Sequence, residues 1–276
     1  MYFTKMHGCG NDYVYVDCIN QTVENRSDLA VRVSDRHFGI GADGLICIDS
    51  STVADFKMDM YNADGSRGSM CGNGIRCVGK FVYDYGLTDK ECITVETLSG
   101  IKTLHLNLCD GRVDTVRVCM GEPVFDSSAI PVLSDNEKCL NQTVSIATRE
   151  WVISCVSMGN PHAVVFVDDL ESLDLMEIGP QFERNPMFPD RINTEFIQVM
   201  SDERIKMRVW ERGSGETFAC GTGACASVVI ATLNNFVKNC AVVELRGGNL
   251  KVEWDQGSNL VYMTGPAEIV FEGQLK

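Results

Sequence analysis

Two short segments of the chain are copies of one another, and this duplication constrains the possible folds more than any other feature. The first segment is Met70-Cys71-Gly72-Asn73-Gly74-Ile75, and the second is Ala219-Cys220-Gly221-Thr222-Gly223-Ala224. Their cysteines are 149 positions apart (220 − 71 = 149), and the same offset relates Gly10-Asn11 to Gly159-Asn160. Because chance rarely holds a register without drift from residue 10 to residue 74, we predict two related halves with one motif cysteine in each.

Each motif is followed by a segment of helical length. After the first motif, apolar side chains recur at spacings of three, four and three residues, at Ile75, Val78, Val82 and Tyr85. This pattern predicts an amphipathic helix that ends at Gly86. The segment 224–231 is apolar on every side, which predicts a helix enclosed by sheet. In both halves the motif cysteine is therefore expected in the first turn of a helix.

Strand-like segments surround both predicted helices. Apolar patterning predicts strands at 2–8, 12–18, 44–48, 55–61, 92–97, 101–108 and 113–120, and then at 142–148, 151–156, 163–167, 193–199 and 204–210. The dipeptide Asp110-Gly111 predicts a hairpin turn. Three final strands are expected, and the last of them, 267–271, has no counterpart in the first half.

Two further helices and a boundary complete the predicted organisation. One helix is expected to begin with Ser27 as its N-cap and to end near Gly39, and another is expected to cover 173–183. The segment Gly121-Glu122-Pro123 is the predicted boundary between the halves. The N-terminal half is thus expected to cover 1–120, completed by 265–276, and the C-terminal half to cover 121–264.

The charge and the N-terminus exclude several classes of partner. The net charge is −14, and no run of Lys or Arg is longer than two, which argues against a nucleic-acid or anionic-membrane surface. The first residues lack the basic and apolar regions of a signal peptide. No stretch of about 18 apolar residues is present to span a bilayer. We therefore expect a cytoplasmic protein whose partner is a small molecule.

The thirteen cysteines are predicted to be reduced thiols. A disulfide framework is disfavoured by the odd count and the missing export signal, and a zinc site by the lack of any C-x-x-C pair. Most of these thiols lie in or beside apolar runs and are expected to be buried packing residues: Cys18, Cys47, Cys92, Cys109, Cys119, Cys139, Cys155 and Cys240. The two motif cysteines are the exceptions.

A cysteine at a helix N-terminus is suited to proton transfer. The positive end of the helix dipole and the free backbone N–H groups are expected to lower the pKa of both motif thiols. The adjacent glycines leave the same N–H groups accessible to a carboxylate. If duplication places one sulfur on each face of a bound α-carbon, one thiol can remove a proton while the other returns one. No recognisable pyridoxal-phosphate lysine site is present, so we expect no cofactor.

Motifs that carry a family resemblance extend over the whole chain: Lys5-Met6-His7-Gly8, Gly10-Asn11-Asp12-Tyr13, Gly39-Ile40-Gly41-Ala42-Asp43-Gly44, Tyr61-Asn62-Ala63-Asp64-Gly65-Ser66, Gly159-Asn160-Pro161-His162, Asn193-Thr194-Glu195-Phe196, Glu211-Arg212-Gly213 and the two cysteine motifs. The sequence resembles the diaminopimelate epimerases, cofactor-independent enzymes that interconvert LL- and meso-diaminopimelate on the route to lysine and peptidoglycan. The resemblance implies an α/β fold of two pseudo-symmetric halves, each a mostly antiparallel or mixed sheet wrapped around a central helix, in a homodimer.

The resemblance also implies roles for individual residues. Cys71 and Cys220 would be the acid/base pair, and His162 and Glu211 would help to set the protonation of these thiols. The reacting carboxylate would be held by Asn11 and by the backbone amides of Gly72, Asn73, Gly221 and Thr222. The distant amino and carboxylate groups would be held by Asn62, Asn160, Asn193, Glu211 and Arg212. No role is implied for Gly44, where some members carry glutamine, or for Cys9.

Two other functions remain open at this point. A proline or hydroxyproline racemase-type enzyme uses the same two-thiol logic, but such enzymes usually carry histidine where this chain has Asn73. They also have no need of a second amino-acid clamp such as Glu211 with Arg212. A thiol redox or binding protein is the alternative from another class, and the lack of C-x-x-C disfavours it.

Overall fold

The computed structural model describes all residues from 1 to 276, and they fall into two compact units. Unit 1 contains residues 1–119 and 264–276, and unit 2 contains residues 120–263. The chain forms four helices: α1 Arg26–Ser34, α2 Gly72–Asp84, α3 Leu175–Glu183 and α4 Gly221–Leu233. None of these helices combines the length and the apolar character that crossing a membrane requires.

Eighteen strands accompany the helices. The first eight are β1 Tyr2–Gly8, β2 Asn11–Asp17, β3 Gly44–Asp49, β4 Phe56–Asn62, β5 Arg67–Gly68, β6 Cys92–Thr97, β7 Gly100–Cys109 and β8 Arg112–Gly121. The others are β9 Gln142–Ile146, β10 Arg149–Ser157, β11 Pro161–Phe166, β12 Asn193–Ser201, β13 Arg204–Glu211, β14 Gly215–Glu216, β15 Cys240–Leu245, β16 Gly248–Asp255, β17 Leu260–Pro266 and β18 Glu268–Gln274.

The strands of unit 1 form a mixed sheet. Strand β2 runs antiparallel to β1 and parallel to β3, and β4 runs antiparallel to β3 and parallel to β6. The hairpin of β7 and β8 turns at Asp110 and Gly111, whose φ angles of 50° and 77° confirm the predicted turn. The closing strand β18 returns to pair antiparallel with β1.

Unit 2 repeats this topology. Strand β11 runs antiparallel to β10 and parallel to β12, and β13 runs antiparallel to β12 and parallel to β15. Strand β9 pairs with β10, at the place that β18 takes beside β1. Both ends of α3 and of α4 lie 149 residues after the corresponding ends of α1 and α2. The duplication therefore extends from the two motifs to the order of the elements and the lengths of the helices.

The two central helices differ in the kind of residue that they bury. Helix α4 is buried along the whole segment 224–231, which confirms the prediction of a helix enclosed by sheet. Helix α2 is likewise buried over the whole segment 72–79, but one of its buried residues is charged, since Arg76 is completely buried. The Arg76 guanidinium donates to the carbonyl oxygens of Gly72 and Pro266, each at 3.1 Å, so its hydrogen bonds compensate for part of its desolvation.

The predicted mixed α/β class is confirmed, but three local predictions are wrong. Helix α1 begins after Asn25, in the left-handed region and with no side-chain cap, because the Ser27 hydroxyl instead donates to Gly65 O. This helix ends at Ser34, well before Gly39. Four strands rather than three follow α4, because the segment before β18 forms the separate strand β17.

The expectation of uniformly buried packing cysteines is also wrong. All thirteen thiols are free, and Cys47, Cys139 and Cys155 are buried as predicted. Cys92 and Cys109 are exposed instead. In strand β6, Ile93 and Val95 point into the core, so the alternation of the strand turns Cys92 outward.

Candidate active site

In unit 1, Cys71 is the N-cap residue of α2. Its backbone is extended, with φ −129° and ψ 118°, and its Sγ accepts a hydrogen bond from the Gly74 N–H at 3.3 Å. Gly72 and Asn73 occupy the first turn of the helix, where backbone N–H groups have no partner within the helix itself. The first turn thus places a sulfur beside backbone donors that suit an anion.

Two polar residues from strand β2 lie beside Cys71. The Cys71 thiol donates to Asn11 Oδ1 at 3.1 Å, and Asn11 Nδ2 donates in turn to Asp43 Oδ2 at 2.7 Å. The hydroxyl of the buried Tyr13 lies within hydrogen-bond reach of both Cys71 and Asn11. Burial raises the pKa of Tyr13, and Cys71 and Asp43 raise it further, so this hydroxyl stays protonated and can donate to the sulfur.

Gly44 provides the space that Tyr13 occupies. The two residues are neighbours in the parallel β2–β3 ladder. A Cβ atom at Gly44 would lie 2.7 Å from Tyr13 Cε1 and 2.1 Å from Tyr61 O, which is too close for any larger residue. The structure therefore explains the glycine at this position by the tyrosine beside it.

In unit 2, Cys220 is the N-cap residue of α4. Its backbone is extended, with φ −118° and ψ 112°, and its Sγ accepts from the Gly223 N–H at 3.4 Å. Thr222 Oγ1 lies 3.5 Å from the same sulfur. Gly221 and Thr222 take the helix positions that Gly72 and Asn73 take in unit 1, so the geometry of the cap is repeated.

The environment of Cys220 does not lower the pKa of its thiol. Burial raises the pKa of Cys220 well above its usual value, and the carboxylates of Glu211 and Glu195 raise it further. The expectation that the helix N-terminus would lower this pKa is therefore wrong, because desolvation and two nearby negative charges outweigh the hydrogen bonds from Thr222 and from the Gly223 N–H. At neutral pH, Cys220 is a thiol.

Glu211 is the residue placed to exchange a proton with Cys220. It stands at the end of β13, accepts a hydrogen bond from Thr217 Oγ1 and lies within hydrogen-bond reach of the Cys220 thiol. Burial is the main cause that raises the pKa of Glu211, and Glu195 raises it further, whereas Thr217, Cys220 and His162 lower it. The predicted association of Glu211 with a motif thiol is thus supported by their contact.

His162 lies in the same cluster and is completely buried. Its Nδ1 is 2.7 Å from Glu195 Oε1, and its Nε2 is 3.0 Å from Asn160 Oδ1. Glu195 is also completely buried and was not among the predicted site residues. The signal that could have found it is a charged residue inside the predicted strand 193–199, because a buried carboxylate in a strand needs a specific partner.

Three of the remaining predicted ligands, Asn62, Asn193 and Arg212, form hydrogen bonds within a turn or between neighbouring segments. Asn62 Nδ2 donates to Ser66 Oγ at 2.9 Å and closes the turn after β4. Asn193 Nδ2 donates to Pro161 O at 2.7 Å, while its Oδ1 accepts from the Arg212 backbone N–H at 2.9 Å. The exposed Arg212 side chain donates to Asp190 O at 3.0 Å. Asn193 therefore fixes the loop that carries Arg212.

Sequence reasoning also missed Tyr13, whose hydroxyl reaches the Cys71 thiol. The sequence indicates no functional role for Tyr13, because an aromatic residue in a strand is ordinarily a packing residue. No group of three or more His, Cys, Asp or Glu side chains is placed to hold a metal ion. The candidate chemistry is therefore described by thiols, carboxylates, an imidazole and the amides of two helix N-termini.

The sequence matches a known family over most of its length. The family model described as diaminopimelate epimerase matches residues 3–125 and 154–270. A diaminopimelate epimerase from Acetivibrio thermocellus is 56% identical over 275 residues, which cover 100% of this chain and 98% of that protein.

Two solved structures share the fold at low sequence identity. A phenazine biosynthesis protein of the PhzF family from Bacillus anthracis has a TM-score of 0.73 at 18% identity, covering 100% of this chain and 99% of that one. A hydroxyproline epimerase from Agrobacterium vitis, with bound trans-4-hydroxy-L-proline, has a TM-score of 0.68 at 16% identity, with coverages of 100% and 90%. At these identities the likeness shows the fold alone.

Proposed function

The chain belongs to the diaminopimelate epimerase family, and from this premise we propose that it interconverts LL-2,6-diaminopimelate and meso-2,6-diaminopimelate. The observation that carries the proposal is the equivalence of Cys71 and Cys220, each the N-cap of a central helix in a repeated topology. Two thiols in equivalent settings suit a reaction in which the acid and the base exchange roles between the two directions. The 56% identity over the whole chain supports this choice of substrate.

We propose that the two thiols serve opposite faces of one α-carbon. The thiolate of Cys71 would remove the α-proton and form an S–H bond, while the electron pair of the broken C–H bond moves toward the substrate carboxylate. The Cys220 thiol would then give its proton to the other face of the carbon and become the thiolate. The raised pKa of Cys220 supports its role as the acid in this direction of the reaction, because the residue then begins as a protonated thiol. No cofactor takes part in this proton balance.

The charge that develops on the substrate carboxylate needs stabilisation. We propose that Asn11 and the backbone amides of Gly72, Asn73, Gly221 and Thr222 provide it. Helix N-termini present N–H groups and a positive partial charge, and both become more effective when water is excluded. The extended caps at both cysteines support this role, because they leave first-turn donors beside each sulfur.

In the reverse direction Cys220 has to act as the base. We propose that Glu211 accepts the thiol proton through the contact between the two side chains, so that Cys220 becomes a thiolate and can act as the base. The raised pKa of Glu211 supports this exchange, because it brings the proton affinity of the carboxylate closer to that of a thiol. His162 would lie beside Glu211 in the same cluster and help to set its protonation.

The distant half of the substrate carries an ammonium and a carboxylate that do not react. We propose that Arg212 binds this carboxylate, with Asn62, Asn160, Asn193 and Glu211 completing the binding of the two groups. An arginine can bind a carboxylate through two parallel hydrogen bonds, and a glutamate can pair with an ammonium. The exposure of Arg212 and its fixation by Asn193 support this part of the proposal.

The chain is also proposed to be a cytoplasmic homodimer. The resemblance to the diaminopimelate epimerases supports both statements. Size-exclusion chromatography with light scattering would test the dimer: twice the chain mass of 30.4 kDa is expected, and a single chain mass at micromolar concentration would contradict it.

The function itself is tested with purified protein and no added cofactor. Incubation with LL-diaminopimelate should yield the meso form, measured by chiral chromatography, until the two forms approach equilibrium. Parallel incubations with L-proline and trans-4-hydroxy-L-proline test the racemase-type alternative. Conversion of an imino acid without conversion of diaminopimelate would replace the proposed function by that alternative. Absence of turnover with all three substrates would contradict the proposed epimerase activity.

A further inference from the structure

Glu195 and His162 form a pair of fully buried, titratable side chains. The pair joins two neighbouring strands of unit 2, because His162 lies on β11 and Glu195 lies on β12. Glu195 Oε1 lies 2.7 Å from His162 Nδ1, while its Oε2 has no hydrogen-bond partner. A buried carboxylate oxygen without a partner lowers stability, so a purely structural role gives no reason to keep it.

The corresponding place in unit 1 shows that packing does not require a carboxylate. In the β2–β3 ladder Tyr15 pairs with Ile46, and in the β11–β12 ladder Val164 pairs with Glu195. Ile46 packs against Gly74 in α2 just as Glu195 packs against Gly223 in α4. An apolar side chain thus fills this position in one half, whereas the other half carries a charge there.

Glu195 lies directly beside the first turn of α4. A Cβ atom at Gly223 would lie only 2.5 Å from Glu195 Oε1, so glycine is what allows the carboxylate to approach the helix. The positive end of the α4 dipole stabilises a negative charge at this place. The adjacent imidazole supplies the carboxylate with a hydrogen-bond donor at the same place.

His162 is held from both sides of its ring. Nδ1 lies 2.7 Å from Glu195 Oε1 and Nε2 lies 3.0 Å from Asn160 Oδ1, and the Glu195 carboxylate, which can only accept, makes Nδ1 a donor. The orientation of the Asn160 amide is assigned from this network. His162 and the Cys220 thiol both interact with Glu211, so the orientation of the imidazole bears on the carboxylate that contacts the thiol.

We propose that Glu195 is a positioning residue for the epimerase reaction, because it fixes the orientation of His162 and keeps the proton on Nδ1. The inference rests on the proposed function, since it concerns the same cluster of side chains. Glu195 does not touch the reacting carbon and acts only through His162. Removing such a partner of a functional histidine typically costs about 10- to 100-fold in activity.

The test combines kinetics with NMR of the histidine rings in full-length protein. The chain contains only four histidines, so ¹⁵N-histidine labelling gives few signals, and the His162→Gln variant identifies those of His162. The expected wild-type signal is a downfield proton bonded to Nδ1. In Glu195→Ala this signal should disappear, and kcat should fall about 100-fold while KM for LL-diaminopimelate stays within about 3-fold.

Glu195→Gln is the conservative variant, because the glutamine side-chain oxygen can still accept a hydrogen bond from the Nδ1–H group of His162. It should retain the signal at a shifted position and recover part of the activity, to within about 10-fold of wild-type kcat. Asp59→Asn is the control, since Asp59 is another nearly buried carboxylate, paired with Arg26 and Arg67 in unit 1. This control should lower thermal stability but leave the His162 signal and kcat unchanged.

Three results would overturn the positioning role. The first is an unchanged His162 signal in Glu195→Ala, and the second is a wild-type kcat in that variant. The third is an equal loss of activity in Glu195→Gln and Glu195→Ala with equal loss of thermal stability. If the wild-type protein shows the Nδ1 signal but does not convert diaminopimelate, the proposed function fails, while the comparison of the His162 signals still decides the arrangement of this pair.

Discussion

The two half-sites share a scaffold but differ in their chemistry. Each presents a cysteine as the N-cap of a helix with identical length, and each sulfur accepts from the N–H three residues later. Around Cys71 the neighbours are the uncharged Asn11 and Tyr13, and Cys71 itself is partly exposed. Around the buried Cys220 lie two carboxylates, Glu195 and Glu211.

The chemical difference between the two cysteine environments arises at equivalent positions of the two units. His162 in β11 takes the place that Tyr13 takes in β2, since the former pairs with Asn193 and the latter with Gly44. A tyrosine hydroxyl remains an uncharged hydrogen-bond donor near neutral pH. An imidazole, in general, can exist in a neutral or a charged form in this range. The comparison indicates that duplication supplied the geometry, and that substitution in one half supplied the means of moving a proton at the buried thiol.

The largest expected effect comes from the carboxylate next to Cys220. Glu211→Gln cannot take the thiol proton, so we expect kcat/KM to fall about 10³-fold. The matched change in unit 1 is Asn62→Ala, at the position equivalent to Glu211 in the repeat, and it should mainly raise KM. Steady-state kinetics with LL-diaminopimelate measures both. A Glu211→Gln variant within about 10-fold of wild type would contradict a proton-transfer role for this carboxylate.

The pH dependence follows from the direction of the Glu211 shift. Because burial raises the pKa of Glu211, the carboxylate becomes protonated at a higher pH than an ordinary glutamate, and the acidic limb of kcat/KM should lie correspondingly higher. A raised pKa also means that stability contributed by the protonated form is lost as the pH rises through it. Glu211→Gln should therefore melt above wild type at pH 8, and by less at pH 5. A lower melting temperature at pH 8 would contradict the sign of the shift.

The second-largest effect distinguishes the two helix glycines. In Gly223→Ala the new methyl group would displace the buried Glu195 carboxylate, and we expect a loss of about 100-fold in kcat from misplacement of the cluster. In Gly74→Ala the nearest atoms are Ile46 Cδ1 at 2.7 Å and Met58 Cε at 3.2 Å, which are ends of flexible apolar side chains. This variant should remain within about 3-fold of wild type. Equal losses in the two variants would contradict the difference between the half-sites.

A stability difference is expected between the two central helices. Arg76→Met leaves the carbonyl oxygens of Gly72 and Pro266 without their guanidinium donor, and should lower the free energy of unfolding by about 2–4 kcal/mol. At the equivalent position in α4, Cys225→Ala should cost about 1 kcal/mol, since only a small buried group is lost. Urea denaturation of the full chain measures both variants. The reverse order would show that Arg76 is not stabilising α2.

The smallest predicted effect concerns Tyr13. Tyr13→Phe removes one hydroxyl beside Cys71 and Asn11, and loss of one hydrogen bond of about 0.5–1.5 kcal/mol corresponds to a fall in kcat of about 2- to 13-fold. The ring still fills the space beside Gly44, so the melting temperature should stay close to that of wild type. An unchanged kcat would assign Tyr13 to packing alone.

The sequence was a good guide to the elements and to both cysteine caps. A constant offset defines equivalent positions without any knowledge of packing, so the central helices and most strands could be predicted. The burial of Cys92 was predicted wrongly because this residue lies beside apolar residues in the chain but on the opposite face of β6. The N-cap of α1 depends on a hydrogen bond between Ser27 and the distant Gly65, which local sequence cannot reveal.

The electrostatics of the site could not be predicted from the motifs. The pKa of Cys220 depends on the burial of the thiol and on Glu195 and Glu211, which reach it from two strands. The hydrogen bonds from Thr222 and the Gly223 N–H, which the helix start provides, are the weaker influence here. Tyr13 was missed for a similar reason, since its contact with Cys71 exists only after β2 packs against the start of α2.

The central claim, that two thiols act on one carbon, is tested most directly by deuterium exchange. Wild-type protein, Cys71→Ala and Cys220→Ala are incubated with LL-diaminopimelate in D₂O, and NMR follows the loss of the α-proton together with formation of the meso form. We predict that wild type incorporates one deuterium for each inversion and that both variants lose inversion by more than about 10³-fold. Inversion at the wild-type rate in either single-cysteine variant would contradict the account.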